Sequence, residues 1–389
     1  MTARSREDAL QVWETPPAIV RAEVFEVALS LREPFVTSFG PTTGRRTVVV
    51  RIEDADGRVG WGEGPALDHP FYLPYTTSTT FSIVEEYALP MALGAGPERP
   101  ADIAEALAPI RGNGFARAAV EAAYWGLASL QAGIPLRDAL GGSRRRIEVG
   151  ESIGIKESID ATLQEVALRL DQGYRRIKLK IRPGWDLEVV KATREAFGDI
   201  VLQVDANAGY TLDDIETLAA LDAFGLRCLE QPLEYDDLHG HAELQAKLET
   251  PVCLDESLWS VERVQTALRV GACRNVNLKP SRAGGLTAAL AVHDMCAEAG
   301  VPLWCGGMLE SGIGRATNIA LCSLEGFTDP ADMSPASILF EWDLVDPTYV
   351  VEPDGCIEVP AAAGLGYNVD EGRVKSRTVR HAVLRGAGA

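Results

Sequence analysis

Long apolar segments are missing from this sequence of 389 residues. No stretch approaches the roughly 18 to 20 uninterrupted apolar residues that a membrane-spanning helix needs. Residues 1–17 are mixed polar and charged, without the apolar core of a signal peptide. The sequence therefore predicts a cytoplasmic protein that does not bind membranes.

Basic residues are few relative to acidic ones. The chain has 37 lysines and arginines against 56 aspartates and glutamates, a net charge of −19. An acidic surface of this size argues against nucleic acid as a partner. It does not exclude an anionic substrate, because an active site can be locally positive inside an acidic protein.

The cysteines and histidines do not form metal-binding patterns. The seven cysteines include no Cys-x-x-Cys pair, and the five histidines are scattered, which argues against a zinc site. Cys228, Cys253 and Cys305 each lie in an apolar, strand-like run, where free cysteine behaves as a small buried hydrophobe. We predict reduced, structural thiols.

From about residue 147 onward the sequence repeats one unit. A Gly or Pro leads into an apolar run that ends in a charged or polar residue, and a helical stretch follows. The runs are 147–154, 176–181, 201–207, 227–232, 251–257, 274–280 and 301–307. This alternation predicts parallel strands with crossover helices, and seven consecutive units suit a closed barrel better than an open sheet. The weaker pattern at Phe327–Asp332 is the expected eighth strand.

The first 140 residues have a different pattern. Strands are predicted at Ile19–Leu29, Arg46–Ile52 and Val59–Glu63, and a helix with an Ala-rich face at Phe115–Leu130. An α+β domain therefore precedes the barrel. The predicted divisions are an N-terminal extension (1–18), this domain (19–143), the barrel (144–349) and a C-terminal segment that returns to the first domain (350–389). Residues 1–18 and 377–389 are expected to have little structure.

Charged residues end five consecutive runs at nearly equal spacing. Lys180, Asp205, Glu230, Asp255 and Lys279 are separated by 25, 25, 25 and 24 residues. Barrel enzymes place their catalytic groups at the carboxyl ends of the strands, so these side chains would line the barrel mouth in chain order. Two lysines would then flank three carboxylates.

Three carboxylates on neighbouring strands make an all-oxygen ligand set. Such a set suits Mg²⁺, or Mn²⁺ in its place, with water and substrate filling the remaining positions. Asp205, Glu230 and Asp255 could instead be caps or surface charges, but their equal spacing inside apolar runs favours a metal site. Without a cation, three converging carboxylates would repel one another.

The lysines supply the acid and base chemistry. Lys178 and Lys180 lie on one side of their strand, and the intervening apolar residues must pack on the helices, so both lysines face the barrel interior. A lysine beside another ammonium and a divalent cation has its neutral form favoured and can act as a base. Removing a proton alpha to a carboxylate builds up an enediolate, which a divalent cation stabilises. Two opposed lysines, Lys180 and Lys279, permit inversion at carbon.

Short motifs along most of the chain, from about Ala22 to Asp370, resemble the enolase superfamily, and within it the o-succinylbenzoate synthase and N-acylamino acid racemase family. The motifs are FVTSFG at 35–40, YRRIKLKI at 174–181, VDAN at 204–207, EQPL at 230–233, CLDES at 253–257, NLKP at 277–280 and WCGGMLESG at 304–312. The resemblance implies a (β/α)7β-type modified TIM barrel in the α/β class. It also implies an N-terminal α+β capping domain, completed by the C-terminal segment.

The resemblance also implies roles for individual residues. Asp205, Glu230 and Asp255 would bind Mg²⁺, and Lys180 and Lys279 would be the acid and base. The residues expected to support the site are Lys178, Asn207, Glu256 and Arg282. Capping loops near 35–40 and 67–75 would cover the mouth, and the residues expected to contact the substrate are Phe71, Tyr72, Tyr75, Ser152, Gly306, Gly307 and Ser311. Position 151 is Glu where a small or apolar residue would be expected.

Family members dehydrate a menaquinone precursor to o-succinylbenzoate, racemise N-succinylamino acids, or do both. Arg282 resembles an arginine of the racemising branch, which favours an N-acylamino acid racemase. The alternatives are an o-succinylbenzoate synthase, another acid dehydratase of this type or a dipeptide epimerase. The expected partner is a small-molecule carboxylate substrate, and the chain is expected to form a homo-oligomer.

Two unrelated functions compete with this interpretation. An NAD-dependent oxidoreductase would need a full G-x-G-x-x-G after a strand, and the glycines near 306–314 do not supply it. A non-catalytic metal-binding scaffold would not need two lysines beside the metal carboxylates.

Overall fold

The computed structural model describes residues 16–37 and 40–386, and three sheets organise this part of the chain. The strands, in chain order, are β1 (Ile19–Leu29), β2 (Phe35–Thr37), β3 (Gly40–Thr42), β4 (Arg45–Asp54), β5 (Val59–Gly64), β6 (Arg146–Ile153), β7 (Arg176–Lys180), β8 (Leu202–Asp205), β9 (Leu229–Glu230), β10 (Val252–Leu254), β11 (Asn275–Leu278), β12 (Leu303–Cys305), β13 (Ala331–Asp332), β14 (Cys356–Glu358) and β15 (Thr378–Arg385). The α-helices are Thr77–Ile83, Leu89–Gly94, Asp102–Leu107, Gly114–Gln131, Leu136–Ala139, Ile159–Asp171, Leu187–Phe197, Ile215–Ala220, Leu238–Gln245, Val261–Val270, Pro280–Ala283, Leu286–Ala299, Gly312–Cys322, Ala336–Leu339 and Glu371–Ser376. Within these ranges, none of the helices has the length and apolar character needed to span a membrane.

The N-terminal domain is an antiparallel sheet covered by helices. Its strand order is β15–β1–β4–β5, and the three strands expected from the sequence are confirmed. The helix Gly114–Gln131 packs on β5 and is buried along most of its length. Close packing requires glycine on the strand, because a Cβ at Gly62 would lie 2.0 Å from the carbonyl oxygen of Ala119. The predicted close approach to an Ala-rich helix face is confirmed.

We expect Gly62→Ala to lower the free energy of unfolding, because the added methyl group would overlap the helix backbone. The expected loss is about 3 kcal/mol, the upper end for overpacking a well-packed core. Thermal or urea unfolding measures it. Gly44→Ala is the matched control, since a Cβ there meets nothing within 4 Å. Equal stability of the two variants would contradict this packing.

The second half of the described chain forms a parallel barrel. Its strand order is β12–β11–β10–β9–β8–β7–β6–β13, and an isolated parallel bridge pairs Leu303 of β12 with Phe327, shortly before β13, so that the barrel is nearly closed. The predicted eighth strand is confirmed by β13, which pairs with β6 through Ala331 and Val149. The fold class predicted from the sequence, a modified barrel with a capping domain, is therefore confirmed.

Local sequence signals set the ends of the crossover helices. The helix Val261–Val270 begins where the hydroxyl of Ser260 accepts a hydrogen bond from the amide of Arg263. It ends at Gly271, whose φ of 70° is in the left-handed region that glycine adopts without strain. Side-chain caps also begin the helices Ile159–Asp171, Leu187–Phe197 and Leu238–Gln245, whereas Leu286–Ala299 starts at Gly285 without one.

Two carboxylates of the first domain attach it to the barrel. Glu63, in β5, accepts hydrogen bonds from the amides of Ser311 and Gly314 at the start of the helix Gly312–Cys322. Glu121 accepts one from the amide of Thr287 at the start of the helix Leu286–Ala299. A carboxylate at a helix N-terminus satisfies free amides and is favoured by the helix dipole. These contacts hold the capping domain over the barrel.

The C-terminal segment corrects one expectation. Residues 377–389 were expected to have little structure, but β15 pairs with β1 from Arg385 opposite Arg21 to Thr378 opposite Val27. That expectation is wrong for 378–385, because the edge of β1 supplies backbone partners to a segment whose side chains are mostly exposed. β15 thus joins the sheet of the first domain, whereas β14, which lies in the same C-terminal segment, pairs with β6 of the barrel. Of the predicted N-terminal extension, residues 1–15 lie outside the described residues.

Candidate active site

Five charged side chains meet at the carboxyl ends of consecutive barrel strands. Lys180, Asp205 and Glu230 are the last residues of β7, β8 and β9, and Asp255 and Lys279 directly follow β10 and β11. All five are buried, with at most 7% of any residue exposed. Parallel strands with crossover helices place these ends at one mouth of the barrel, so the residues predicted from their spacing lie together.

Lys178 lies at the centre of the cluster. Its Nζ is 3.1 Å from Oε2 of Glu230, 3.4 Å from Oδ2 of Asp205 and 2.7 Å from Oδ2 of Asp332. Burial alone would lower the pKa of Lys178, but Asp332, Glu230 and Asp205 raise it well above its usual range. In this arrangement Lys178 is a fixed positive charge on the floor of the site.

Lys180 faces the side of the site formed by β8. Its Nζ donates to Oδ2 of Asp205 at 2.6 Å and to Oδ1 of Asn207 at 2.7 Å. The amide of Asn207 then donates to Oε1 of Glu256 at 2.8 Å. Burial would raise the pKa of Asp205, but Lys180 and Lys178 hold it below its ordinary value. A carboxylate oxygen and an amide oxygen therefore orient the side-chain nitrogen of Lys180.

Lys279 occupies the opposite side of the site. Its Nζ donates to Oδ2 of Asp255 at 2.8 Å and to the hydroxyl of Tyr72 at 2.9 Å. Arg282 is fully buried and also binds Asp255 and the Tyr72 hydroxyl. Burial would raise the pKa of Asp255, but Arg282 and Lys279 hold it well below its ordinary value. Tyr72 brings a loop of the capping domain into direct contact with this lysine.

The carboxylates have the chemistry of a divalent-cation site. In the ranges 16–37 and 40–386, no three His, Cys, Asp or Glu side chains surround one point as metal ligands would. The carboxylates of the site form ion pairs with lysine and arginine side chains. Burial and the nearby Asp205 raise the pKa of Glu230 to about 7. Burial and Asp255 raise the pKa of Glu256 to about 8, and its Oε2 is buried without a hydrogen-bond partner in this part of the chain. A divalent cation nearby would favour the ionised form of both carboxyl groups. This set of oxygen donors therefore fits a divalent cation.

Both lysines line one cavity of about 90 Å³ below the capping domain. Lys178, Asn207, Tyr72, Ser152 and Gly307 also line it. A group bound there would have a lysine amino group on each of two sides. The arrangement can remove a proton from one side of a carbon atom and deliver a proton to the other.

Four other residues predicted to contact substrate do not line this cavity, although Phe71 lines a neighbouring one together with Asn207 and Glu256. Ser311 is buried, and its hydroxyl donates to Oε2 of Glu63 and accepts from the amide of Ile313, so it caps a helix. Phe71 is 69% exposed and stacks on His69, and Tyr75 packs edge-on against Phe115. A Cβ at Gly306 would lie 2.1 Å from Oδ1 of Asn277, so this glycine gives space to that amide. In the loop predicted at 35–40, Ser38 and Phe39 lie outside the described residues.

Sequence reasoning missed Asp332. It ends β13, the eighth strand, and pairs with both Lys178 and Arg176. Although burial would raise the pKa of Asp332, Arg176 and Lys178 hold it well below its usual range. Its position at a strand end was the available signal, but β13 has only two residues and a weak pattern.

The chain matches two families of known proteins along most of its length. Residues 19–141 match the N-terminal domain of the mandelate racemase and muconate lactonizing enzyme family. Residues 161–373 match the enolase C-terminal domain-like family. The two matches fall on the capping domain and on the barrel.

Individual relatives cover nearly the whole chain. An o-succinylbenzoate synthase from Geobacillus kaustophilus is 47% identical over 350 residues, which is 90% of this chain and 93% of the relative. An N-succinylamino acid racemase from Thermus thermophilus is 45% identical over 351 residues, 90% of this chain and 95% of the relative. A crystal structure of an enolase superfamily member from Listeria innocua aligns with a TM-score of 0.92 at 36% identity, covering 95% of this chain and 100% of that one.

Proposed function

Because this chain belongs to the enolase superfamily, in the mandelate racemase and muconate lactonizing enzyme family, we propose that it racemises N-acyl amino acids such as N-succinylamino acids. It is an enzyme, and its relatives act by racemisation or by dehydration. One observation carries the proposal. Lys180 and Lys279, from opposite sides of the barrel mouth, line the same small cavity with buried carboxylates between them.

Members of the superfamily generally use Mg²⁺, and three residues of this chain would hold it. Asp205, Glu230 and Asp255 supply hard oxygen donors on adjacent strands, which suit Mg²⁺, with Mn²⁺ or another divalent ion as a substitute. The bound cation would supply charge stabilisation for the substrate carboxylate as negative charge develops there. Lys178, Asn207 and Glu256 would hold the surrounding charges in place.

The side chains of this protein divide the proton transfers between them. Neutral Lys180 accepts the proton from Cα, and the bonding electrons move into the carboxylate to give an enediolate. Lys178 stays protonated nearby and stabilises the developing negative charge. Lys279 then donates a proton to the opposite face of Cα, so that the configuration is inverted. The other enantiomer uses the same two lysines in reverse order.

A second candidate is an o-succinylbenzoate synthase. Its first step is the same removal of a proton alpha to a carboxylate, followed by loss of water in place of reprotonation. The 47% identity to an enzyme of that name favours it. Arg282, which holds Asp255 and Tyr72 on the Lys279 side, supports the racemase, since racemisation needs Lys279 as a proton donor or acceptor.

The test is exchange of the α-proton in deuterated water. With Mg²⁺ present, we expect both enantiomers of N-succinyl-phenylalanine to incorporate deuterium and to racemise, as followed by NMR and polarimetry. No exchange with N-succinyl-phenylalanine, together with dehydration of the menaquinone precursor to o-succinylbenzoate in a separate assay, would select the second candidate. If neither exchange nor dehydration occurred, both candidates would be wrong. The substrate is a small molecule in either case, and the cytoplasmic location and homo-oligomer stay predictions.

A further inference from the structure

A second cavity adjoins the one that holds the lysines. Its volume is about 390 Å³, against about 90 Å³ for the first. The two cavities share Phe35, Glu151, Ser152 and Leu339 in their walls. Pockets for small molecules usually have volumes of about 300–1,000 Å³, so the first cavity is too small for a whole N-acyl amino acid. Part of such a substrate must extend past the shared wall.

Two buried polar atoms of residues that line the second cavity have no hydrogen-bond partner among the described residues. They are the hydroxyl oxygen of Ser152 and Nε of Arg169. The two residues line the second cavity from the end of β6 and from the helix Ile159–Asp171. A buried polar group without a hydrogen bond costs about 1–3 kcal/mol, so native structures rarely leave one without water or a ligand. The cavity therefore has unsatisfied capacity to bind a polar molecule.

The charges around the second cavity favour an anion. Glu165 pairs with both Lys156, at 3.7 Å, and Arg169, at 2.5 Å. Two cations thus share one carboxylate, which leaves one positive charge over provided that Glu151, the third carboxyl group in the wall of this cavity, is uncharged. Arg32 and Glu33 also line the cavity, and their charges balance.

Glu151 lies where the two cavities meet, in a position that normally packs on helices. It pairs in register with Ile177, so its side chain faces the helix layer, while the neighbouring Ser152 pairs with Lys178 and faces the barrel interior. Both oxygens of Glu151 accept from the hydroxyl of Ser334, at 2.9 and 2.8 Å. This outward orientation explains why the sequence led us to expect an apolar residue.

The surroundings of Glu151 favour its uncharged form. It is 4% exposed, and no Lys or Arg among the described residues comes within ion-pair distance of it. A buried carboxyl group without a cation partner is more stable as the neutral acid. Burial raises the pKa of Glu151, although the charge of Arg169 opposes the shift. A neutral carboxyl group can donate a hydrogen bond to an oxygen atom of a ligand.

We propose that the second cavity binds the distal end of the substrate's acyl group, and that Glu151, as a neutral acid, is a specificity residue that favours an acyl group ending in a carboxylate. This rests on the proposed function. The α-carbon would stay between the lysines, and the acyl chain would cross the shared wall. The chain would pass Ser152, and its terminal carboxylate would accept from Glu151 and lie near the surplus positive charge of Lys156 and Arg169.

The test compares two ligands that differ only at the acyl end. Isothermal titration calorimetry with saturating Mg²⁺ gives the affinities of N-succinylglycine and N-acetylglycine, and needs no turnover. We expect Glu151→Val to weaken N-succinylglycine binding at least about tenfold, the effect of losing one hydrogen bond to a charged group. N-acetylglycine should change less than about threefold. Glu151→Gln keeps a donor and should retain most of the preference.

Matched variants keep the outcome interpretable. Glu148→Gln changes an exposed carboxylate of the same strand and should leave both affinities unchanged. Lys156→Ala changes the partly exposed side of the cavity and should also weaken the binding of N-succinylglycine alone. This variant keeps the test available if Glu151→Val fails to fold. An unchanged succinyl-to-acetyl ratio in the Glu151 and Lys156 variants would overturn the subsite. Tighter binding of N-succinylglycine by Glu151→Gln than by the wild type would contradict the inference that Glu151 is uncharged. If the wild-type protein bound neither ligand, the proposed function itself would be wrong.

Discussion

Replacing Lys180 by alanine will abolish deuterium exchange from one enantiomer of the N-acyl amino acid, and racemisation with it. Alanine has no group that accepts the α-proton, and a positioned general base contributes about 10²–10⁴-fold to a proton transfer. We therefore expect racemisation in both directions to fall about 10³-fold, since each direction needs both lysines. Asp205 would still lie 3.4 Å from Lys178, so the variant leaves no unpaired buried charge.

The two lysines should differ in which enantiomer they serve. Lys180→Ala keeps Lys279, so the enantiomer whose α-proton faces Lys279 should still exchange. Lys279→Ala should give the reverse pattern. Lys191→Ala is the control, because this lysine is exposed on a crossover helix and pairs only with the exposed Glu195 in the described structure. Racemisation by Lys180→Ala at the wild-type rate would remove Lys180 from the mechanism.

Regular spacing made the barrel mouth predictable from the sequence. Residues that recur once per βα unit must lie at equivalent places on successive parallel strands, since each crossover returns the chain to the same edge. Lys180, Asp205, Glu230, Asp255 and Lys279 met this condition, and the structure brings all five together at the strand ends. Their roles in catalysis and metal binding stay predictions.

Contacts between distant segments were not predictable in the same way. The hydroxyl of Tyr72 meets Lys279 across 207 positions of sequence, and no periodic pattern encodes which loop residue reaches the barrel mouth. The sequence predicted that Phe71, Tyr72 and Tyr75 would all contact the substrate. Phe71, however, is mostly exposed, and Tyr75 packs on Phe115. The choice depends on how Glu63 and Glu121 dock the capping domain.

Weak local patterns explain the remaining differences. β15 was expected to lack structure because its side chains are mostly exposed and bury little apolar surface, so its order comes from backbone pairing with β1. β13 has two residues, too few for a periodic signal, and for this reason Asp332 received no role. Ser311 follows a strand end in the sequence but caps a helix, because Glu63 and the amide of Ile313 take its hydroxyl.

Removing the divalent cation is expected to abolish activity as completely as removing a lysine. Three buried carboxylates lie at the ends of consecutive strands at the barrel mouth. Side-chain cations alone leave the pKa of Glu230 raised to about 7 by burial and Asp205. Chelation with EDTA should therefore stop exchange and racemisation, and Mg²⁺ or Mn²⁺ should restore both. Full activity in EDTA would contradict a metal-dependent mechanism.

Asp205→Asn tests the same site by binding alone. The amide keeps the shape of the side chain but loses its charge, so calorimetric titration of metal-free protein should give at least about tenfold weaker Mg²⁺ binding, given that even groups behind the ligands change affinity about 10–100-fold. Asp213→Asn, an exposed change in the same βα unit, should bind Mg²⁺ as the wild type does. Because Lys180 loses its anionic partner at 2.6 Å in Asp205→Asn, exchange should slow as well. A variant with normal Mg²⁺ affinity and slow exchange would show that Asp205 acts on Lys180 and not on the metal.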